Sequence, residues 1–283
     1  MAKKVALITG GTGFLGHKLV GELLKKNYMV RVVARNEGKL ILLKNEYPEI
    51  EIFPGDICNK ITAYQCCKDV NAIYHLAAFK HVRLAEKFAL ECINTNVIGT
   101  INILNETLNN PNLEYVIGIS TDKVAKVTGT YGASKYLMES LFYQYESLNA
   151  RVKYRLVRYG NVLYSTGSVL CIWKERLLKG EEIIITDKNV TRFYWSLEEA
   201  IKLIFDCLKY STSTKPYLPE MKTMSLGDIL EAMKMKYLPK DKELKVKVIG
   251  LQKGENLHER LIMNGPLSSE YEKYTIDEIY KMI

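Results

Sequence analysis

Along the first 160 residues, short apolar runs alternate with longer stretches whose apolar positions recur at helical spacing. Such alternation predicts single buried strands, each followed by a helix. Residues 5–9, 29–34, 50–54, 71–75, 115–119 and 152–157 read as six strands. Residues 17–26, a long stretch through Asn94 and Thr100 toward Pro111, and residues 131–148 read as helices, with Leu137, Leu141 and Phe142 on the burying face of the last. The strict alternation stops after residue 160. From there the pattern predicts a helix from about Ser165 to Lys179, a short strand at 182–185, a polar loop at 186–193, and a helix to Tyr210 opened by the capping box Ser196-Leu-Glu-Glu199. A helix at 226–235, a strand at 244–249 and a turn at 253–259 entering a last helical piece complete the chain. The expected fold class is α/β: a doubly wound parallel sheet in residues 1–160, joined by some later segments, with a smaller C-terminal α/β lobe in residues 161–283. No internal repeat, low-complexity tract or long linker divides the chain, so the two parts are expected in close contact, with a ligand cleft between them.

Composition narrows the function classes. A chain of 283 residues with 47% apolar content can bury a core without covalent staples. Its six cysteines show no CxxC pair and its four histidines no cluster, so reduced thiols and no metal site are expected. The net charge of +8 comes from lysines spread along the chain without a nucleic-acid motif, which fits a solvated surface and a basic pocket for a phosphorylated ligand. The N-terminal apolar run is short and enters a glycine turn at once, and no run approaches the length of a membrane span, so neither a signal peptide nor membrane insertion is expected and the cytoplasm is the expected compartment.

The glycine turn carries the first candidate chemistry. In Gly10-Gly-Thr12-Gly13-Phe14-Leu15-Gly16, Gly10 permits a tight turn, Gly13 lets the backbone approach a pyrophosphate, and Gly16 lets the following helix pack close to the strand. Strand, glycine turn and helix in that order predict a Rossmann-type dinucleotide site with the helix N-terminus facing the anion. Where a site for NAD often carries an acidic residue, this chain has Ala34-Arg35-Asn36, which favours NADP over NAD because a guanidinium pairs with the extra phosphate. Asp56, followed by Ile57, stands where it can accept from an adenine amino group or cap the next helix. The small-residue turn Leu76-Ala77-Ala78 lets a cofactor lie flat across the sheet edge, and Asn96 either bonds inward to the strand ends or serves as a satisfied structural asparagine. Beyond the fifth strand come Ser120-Thr121-Asp122-Lys123 and then Tyr131-Gly-Ala-Ser-Lys135. Tyr131 and Lys135 share one helix face, and a phenol of ordinary pKa about 10 needs such a cation to act as a base near neutrality. Taken alone, so short a pattern reads first as an ordinary aromatic and a surface charge on an amphipathic helix.

Together these motifs resemble the extended short-chain dehydrogenase/reductases. Ala77-Ala78-Phe-Lys80-His81-Val82, Asn94-Thr-Asn96-Val-Ile-Gly-Thr100, Ser120-Thr-Asp-Lys123, Arg158-Tyr159-Gly-Asn161-Val, Gly167-Ser168-Val169, Ile185-Thr186-Asp187, Thr191-Arg192-Phe193 and Gly254-Glu255-Asn-Leu-His258-Glu259 narrow the resemblance to the UDP-N-acetylglucosamine 4,6-dehydratases, inverting enzymes included. The resemblance implies that bound NADP takes hydride from carbon 4 of the sugar, with Tyr131 as base, Thr121 bonding the carbon 4 oxygen, and Lys135 holding the nicotinamide ribose and lowering the phenol's pKa. It implies that Lys123, with its amine partly neutral, removes the carbon 5 proton, and that Asp122, held protonated, donates to the hydroxyl leaving carbon 6. Inversion at carbon 5 is expected. Lys80 and Tyr159 join the cofactor set, and Lys80, His81, Asn161, Ser168, Val169, Thr186, Arg192 and Glu255 form the substrate set, Arg192 pairing with phosphate. UDP-N-acetylglucosamine or a related UDP-sugar is the expected partner. A homodimer or higher homo-oligomer through the helices after strands four and five follows by family analogy alone.

The chain departs from the pattern in three places. Residues 124–130 lack the proline and asparagine common there, Phe79 replaces a leucine, and Tyr194-Trp195 are bulkier than expected beside Arg192. Two rivals stand against the dehydratase: a UDP-sugar 4-epimerase or 4-keto reductase on the same fold, and a non-catalytic NADP-binding regulatory protein. For the second, Asp122, Lys123, Tyr131 and Lys135 together would have no chemical purpose.

Overall fold

A computed structural model of the chain describes residues 3–252 and 254–283; Lys253, at the head of the turn expected at 253–259, lies outside the described residues. The six apolar runs become β1 (Val5–Thr9), β2 (Met29–Ala34), β3 (Glu51–Pro54), β4 (Ala72–His75), β5 (Tyr115–Thr121) and β6 (Lys153–Tyr159). They pair in parallel in the order β3-β2-β1-β4-β5-β6. Between them run α1 (Phe14–Lys25), α2 (Glu37–Glu46), α3 (Lys60–Cys67), α4 (Val82–Lys87), α5 (Ala89–Ile93), α6 (Gly99–Leu108) and α7 (Thr130–Leu148). The strand order reverses between β1 and β4, and ligands of such sheets bind beyond the strand ends at that reversal. Past β6 the chain adds β7 (Asn161–Val162), α8 (Val169–Lys179), β8 (Ile183–Ile185), β9 (Thr191–Trp195), α9 (Leu197–Tyr210), β10 (Thr223–Ser225), α10 (Leu226–Tyr237), β11 (Val246–Val248) and α11 (Ile276–Met282). A small sheet of order β10-β9-β7 and the parallel pair β11-β8 form the C-terminal lobe.

Alternate side chains of each strand point to opposite faces. Ala6 and Ile8 of β1 therefore pack with Leu19 and Leu23 of α1 and Ile204 and Cys207 of α9, whereas Leu7 packs with Cys66 of α3, Leu104 of α6 and Phe142 of α7. Both faces are dry, which is why these strands read as unbroken apolar runs. Helix α9 comes from beyond residue 160 and returns to cover the sheet. A separate core, Trp173, Leu177, Ile229, Met233 and Ile279, holds the C-terminal lobe.

Three segments differ from expectation. Residues 191–195, within and just past the expected polar loop, form β9 and are all buried. Their polar groups find partners far along the chain: Thr191 Oγ1 meets His258 Nδ1 at 2.8 Å and Ser268 Oγ at 2.6 Å, and Arg192 donates to the carbonyls of Thr191, Asn256 and Leu257. The long helix expected between the fourth and fifth strands is broken into α4 and α5, a π-helical turn at Asn94–Ile98, and α6. The carboxamide of Asn96 in that turn accepts from Phe79 N at 2.7 Å and donates to Phe79 O and Ser134 Oγ, so the extra residue in the turn is used to hold the loop after β4. The helical piece expected after residue 259 is absent; helix resumes only at α11, opened by a capping box of Thr275 and Glu278.

Candidate active site

A cleft of about 780 Å³ runs along the C-terminal ends of β1, β2, β4 and β5 and continues under the loop after β7. Its first end is built by the glycine turn. Gly10 has φ +71°, and a Cβ there would stand 2.9 Å from Ala77 Cα; a Cβ at Gly16 would stand 2.6 Å from Gly10 O. No side chain could be added at either place without moving backbone. Helix α1 begins after Gly13 with no side chain capping it, so the open amides and the positive end of the helix dipole serve an anion in the cleft. The donor set and the glycine cradle fit a dinucleotide. At the rim, Arg35 after β2 lies 3.8 Å from Asp56 after β3, and Lys39 of α2 lines the same edge. Asp56 uses its other oxygen to accept from Cys58 N at 2.9 Å, so it caps a turn and faces the cleft at once.

The floor between β1 and β4 is fixed by a chain of hydrogen bonds. Thr100 Oγ1 donates to Asn96 O at 2.8 Å and so accepts from His75 Nε2 at 2.9 Å; His75 Nδ1 then accepts from Thr9 Oγ1 at 2.9 Å. Thr9 Oγ1 in turn accepts from the amides of Leu76 and Ala77, both at 3.1 Å. Burial pushes the His75 imidazole down to about 3, with the Lys135 charge adding to the effect, so it stays neutral. Tyr159 donates its hydroxyl to Ala200 O, leaving only its ring to the cleft.

At the other end β5 delivers Ser120 and Thr121, followed by one 3₁₀ turn, Asp122–Val124. Helix α7 then brings Tyr131 and Lys135 to the same wall; Glu86 of α4 accepts from its Thr130 amide at 2.6 Å, and Gly132 allows a close approach, since a Cβ there would stand 2.8 Å from Lys123 O. Thr121 Oγ1 donates to Asp122 Oδ1 at 3.0 Å, and Lys123 Nζ donates to the same oxygen at 3.1 Å. Lys123 Nζ also stands 3.6 Å from Glu259 Oε1. Burial draws the Lys123 ammonium down, but the Asp122 and Glu259 carboxylates outweigh it and hold the group above its ordinary value. The partly neutral amine expected at Lys123 is therefore not its resting state. Burial raises the Tyr131 phenol; the Lys123 charge and the hydrogen bond with Thr121 oppose it. The lowering cation beside the phenol is thus Lys123, where Lys135 was expected. Burial pulls Lys135 itself down to about 8, and its ammonium faces the Met138 thioether at 2.9 Å.

Of the residues expected on the cofactor, Gly10, Thr12, Gly13, Phe14, Leu15, Gly16, Arg35, Asp56, Ile57, Leu76, Ala77, Ala78, Lys80, Tyr131, Lys135 and Tyr159 line the cleft, whereas Asn96 sits one layer behind with its carboxamide engaged. Thr121 and Lys123 reach the wall; Asp122 lies behind them, fully buried. Of the substrate set, Lys80, His81, Asn161, Ser168 and Val169 line the cleft. Arg192 does not, because its guanidinium is spent on backbone carbonyls rather than left for a phosphate. Thr186 and Glu255 are also off the wall; Glu255 accepts from Gln252 N at 3.2 Å and pairs with Arg83 at 3.7 Å. Two further residues belong to the site. Tyr194, conspicuous in the sequence only for its size, lines the cleft and carries a buried hydroxyl without a partner among the described residues. Glu259 is 1% exposed behind Lys123, and burial holds its carboxyl above the usual range despite the Lys123 charge.

The family model for polysaccharide biosynthesis proteins matches residues 6–282. The chain is 33% identical over 282 residues to a UDP-N-acetylglucosamine 4,6-dehydratase (inverting) of Campylobacter jejuni, covering 96% of this chain and 82% of that protein. It is 35% identical over 288 residues to an uncharacterized membrane protein of Methanocaldococcus jannaschii, covering 99% and 84%. No helix among the described residues is long and apolar enough to cross a membrane. Among solved structures, Pen from Bacillus thuringiensis superposes with a TM-score of 0.93 at 25% identity, over 99% of this chain and 97% of that one.

Proposed function

This chain belongs to the polysaccharide biosynthesis protein family, among the short-chain dehydrogenase/reductases, and from that premise we propose that it dehydrates UDP-N-acetylglucosamine to a UDP-4-keto-6-deoxy-N-acetylhexosamine with inversion at carbon 5. The observation that carries the proposal is the meeting of Thr121, Lys123 and Tyr131 on the wall of the cleft whose other end is the glycine cradle. Residues 1–160 hold the dinucleotide and residues 161–283 mainly the sugar nucleotide. Arg35, with Lys39 on the same rim, supports NADP as the form bound, since both cations favour an added phosphate. When bound, the nicotinamide supplies the acceptor for the carbon 4 hydride and its return to carbon 6.

The chain's own groups do the rest. Tyr131 takes the proton of the carbon 4 hydroxyl, and Thr121, turning its hydroxyl from Asp122, donates to that oxygen as it becomes a carbonyl. The ketone acidifies carbon 5, whose proton passes to Lys123; once hydride has returned to carbon 6, carbon 5 takes a proton from solvent on the opposite face, and Tyr131 releases the one it took. Asp122 does not reach the wall, so the proton for the hydroxyl leaving carbon 6 comes from Lys123, with Asp122 holding that side chain in line. Asn161, Ser168 and Val169 border the sugar-nucleotide end, and Lys80 and His81 its mouth. The proposal includes a homodimer through the helices after β4 and β5, where Phe88, Leu90 and Leu137 stand exposed, and places the enzyme in the cytoplasm, where free cysteines stay reduced. Incubation with UDP-N-acetylglucosamine, followed by proton NMR, should show the carbon 6 hydroxymethyl signals replaced by a methyl doublet. A 4-epimerase or a 4-keto reductase would leave the hydroxymethyl group intact.

A further inference from the structure

Lys123 presents a conflict between placement and charge. It is the group at the cleft wall fit to take the carbon 5 proton, yet two carboxylates keep it an ammonium, and an ammonium cannot act as a base. The resting proton has to go somewhere, and the two carboxylates beside it are closed to water: the side chains of Asp122 and Glu259 are 0% exposed, while that of Lys123, at 19%, meets the cleft. Asp122 accepts two bonds, from Thr121 and Lys123, both on Oδ1, while its Oδ2 has no hydrogen-bond partner among the described residues. Glu259 is more thinly bonded. Its Oε2 accepts one bond, from Asn256 at 3.1 Å, while Oε1 has no hydrogen-bond partner among the described residues and stands 3.6 Å from Lys123 Nζ. A buried carboxylate so thinly bonded is disfavoured as an anion.

We propose that Glu259 is a positioning residue for the dehydration, receiving the resting proton of Lys123 on Oε1 and so converting the lysine into the neutral amine that takes the carbon 5 proton. The inference rests on the dehydratase reading of the same cleft. In the transfer one N–H bond of Lys123 breaks and an O–H bond forms at Glu259 Oε1; ammonium and carboxylate become amine and acid with no change in net charge and no other reactant. Removing two opposite charges from a dry site makes the neutral pair accessible. The charged groups facing Glu259 are Lys123 and Asp122 from the turn after β5 and Arg192 from β9, all of them held by the same buried network. The acid then stands ready to return the proton when Lys123 has delivered its own to the leaving hydroxyl.

Because the transfer is internal, the fraction of neutral Lys123 does not depend on solvent pH. With Glu259→Gln, the amine forms only by losing a proton to solvent, so its fraction rises tenfold per pH unit below its pKa. The test uses holoenzyme with NADP and UDP-N-acetylglucosamine, following carbon 4 oxidation by the reduced-nicotinamide absorbance in a single turnover and carbon 5 exchange by NMR in deuterium oxide. The wild type should show exchange that is flat between pH 6 and pH 8. Glu259→Gln should keep oxidation within about twofold, lose about 100-fold in exchange at pH 7, and regain it steeply with pH. A wild-type exchange rate that itself climbs tenfold per pH unit overturns the inference without any variant. So does a Glu259→Gln enzyme with wild-type exchange and profile. If the wild type never develops the absorbance, the dehydratase reading fails and takes this inference with it; absorbance without the predicted exchange behaviour removes the inference alone.

Discussion

At the scale of the residue, the buried Tyr194 hydroxyl is the group whose cost is most exposed. An unpaired hydroxyl in a dry wall costs the free protein about 1–3 kcal/mol, and a ligand that supplies the missing partner recovers it. Tyr194→Phe should therefore raise the unfolding free energy by about 1 kcal/mol in a denaturant titration while raising KM for the sugar nucleotide roughly tenfold. A less stable variant with unchanged KM would show that the hydroxyl serves the fold instead. His75 gives a prediction in pH. Its native pKa, about 3, lies below the ordinary value of 6.5, so between these values the unfolded chain binds the proton and the native state does not. Stability thus falls as pH drops through that window, and going from pH 7 to pH 5 should cost the wild type about 2 kcal/mol that His75→Gln does not lose. Denaturant titrations of both proteins at the two values check it. Tyr131 and Lys135 were legible in the sequence because one helical turn separates them. Glu259 was not, because its burial depends on a C-terminal segment folding back over the end of β5.

At the scale of the element, the six strands of the main sheet were legible because both their faces are dry and apolar runs are the direct record of that. β9 was not. Its Thr191 and Arg192 spend their polarity on His258, Ser268 and the carbonyls of residues 256 and 257, partners that no local periodicity reveals. The broken helix between β4 and β5 escaped for the same reason: the π-helical turn exists to set Asn96 against Phe79 and Ser134. Helix α7, which carries Tyr131, depends on an element before it, since Glu86 of α4 accepts from the Thr130 amide. Losing that acceptor should cost about 1 kcal/mol, as the loss of other helix caps does. Glu86→Ala is expected to melt a few degrees lower and, because Thr130 adjoins Tyr131, to slow the absorbance change of carbon 4 oxidation. A variant that melts lower yet oxidises at the wild-type rate would separate the cap from the chemistry.

At the scale of the whole molecule, a buried junction ties the C-terminal lobe to the dinucleotide half. Arg158 of β6 holds both oxygens of Glu139 on α7, each at 2.7 Å, and donates to Leu261 O at 2.6 Å, two residues beyond Glu259. Removing one partner of a buried pair strands the other charge, at about 3–5 kcal/mol. Arg158→Met should therefore lower the melting temperature by roughly 10 °C and, by freeing the segment behind Lys123, slow carbon 5 exchange more than carbon 4 oxidation. The proposed reaction requires one cleft to perform an oxidation at carbon 4 and a reduction at carbon 6 of the same sugar. Its most direct test is UDP-N-acetylglucosamine carrying deuterium at carbon 4, converted by the holoenzyme in ordinary water and read by NMR. The deuterium should reappear in the new methyl group at carbon 6; deuterium retained at carbon 4, or a methyl group free of it, would rule out the dehydration proposed.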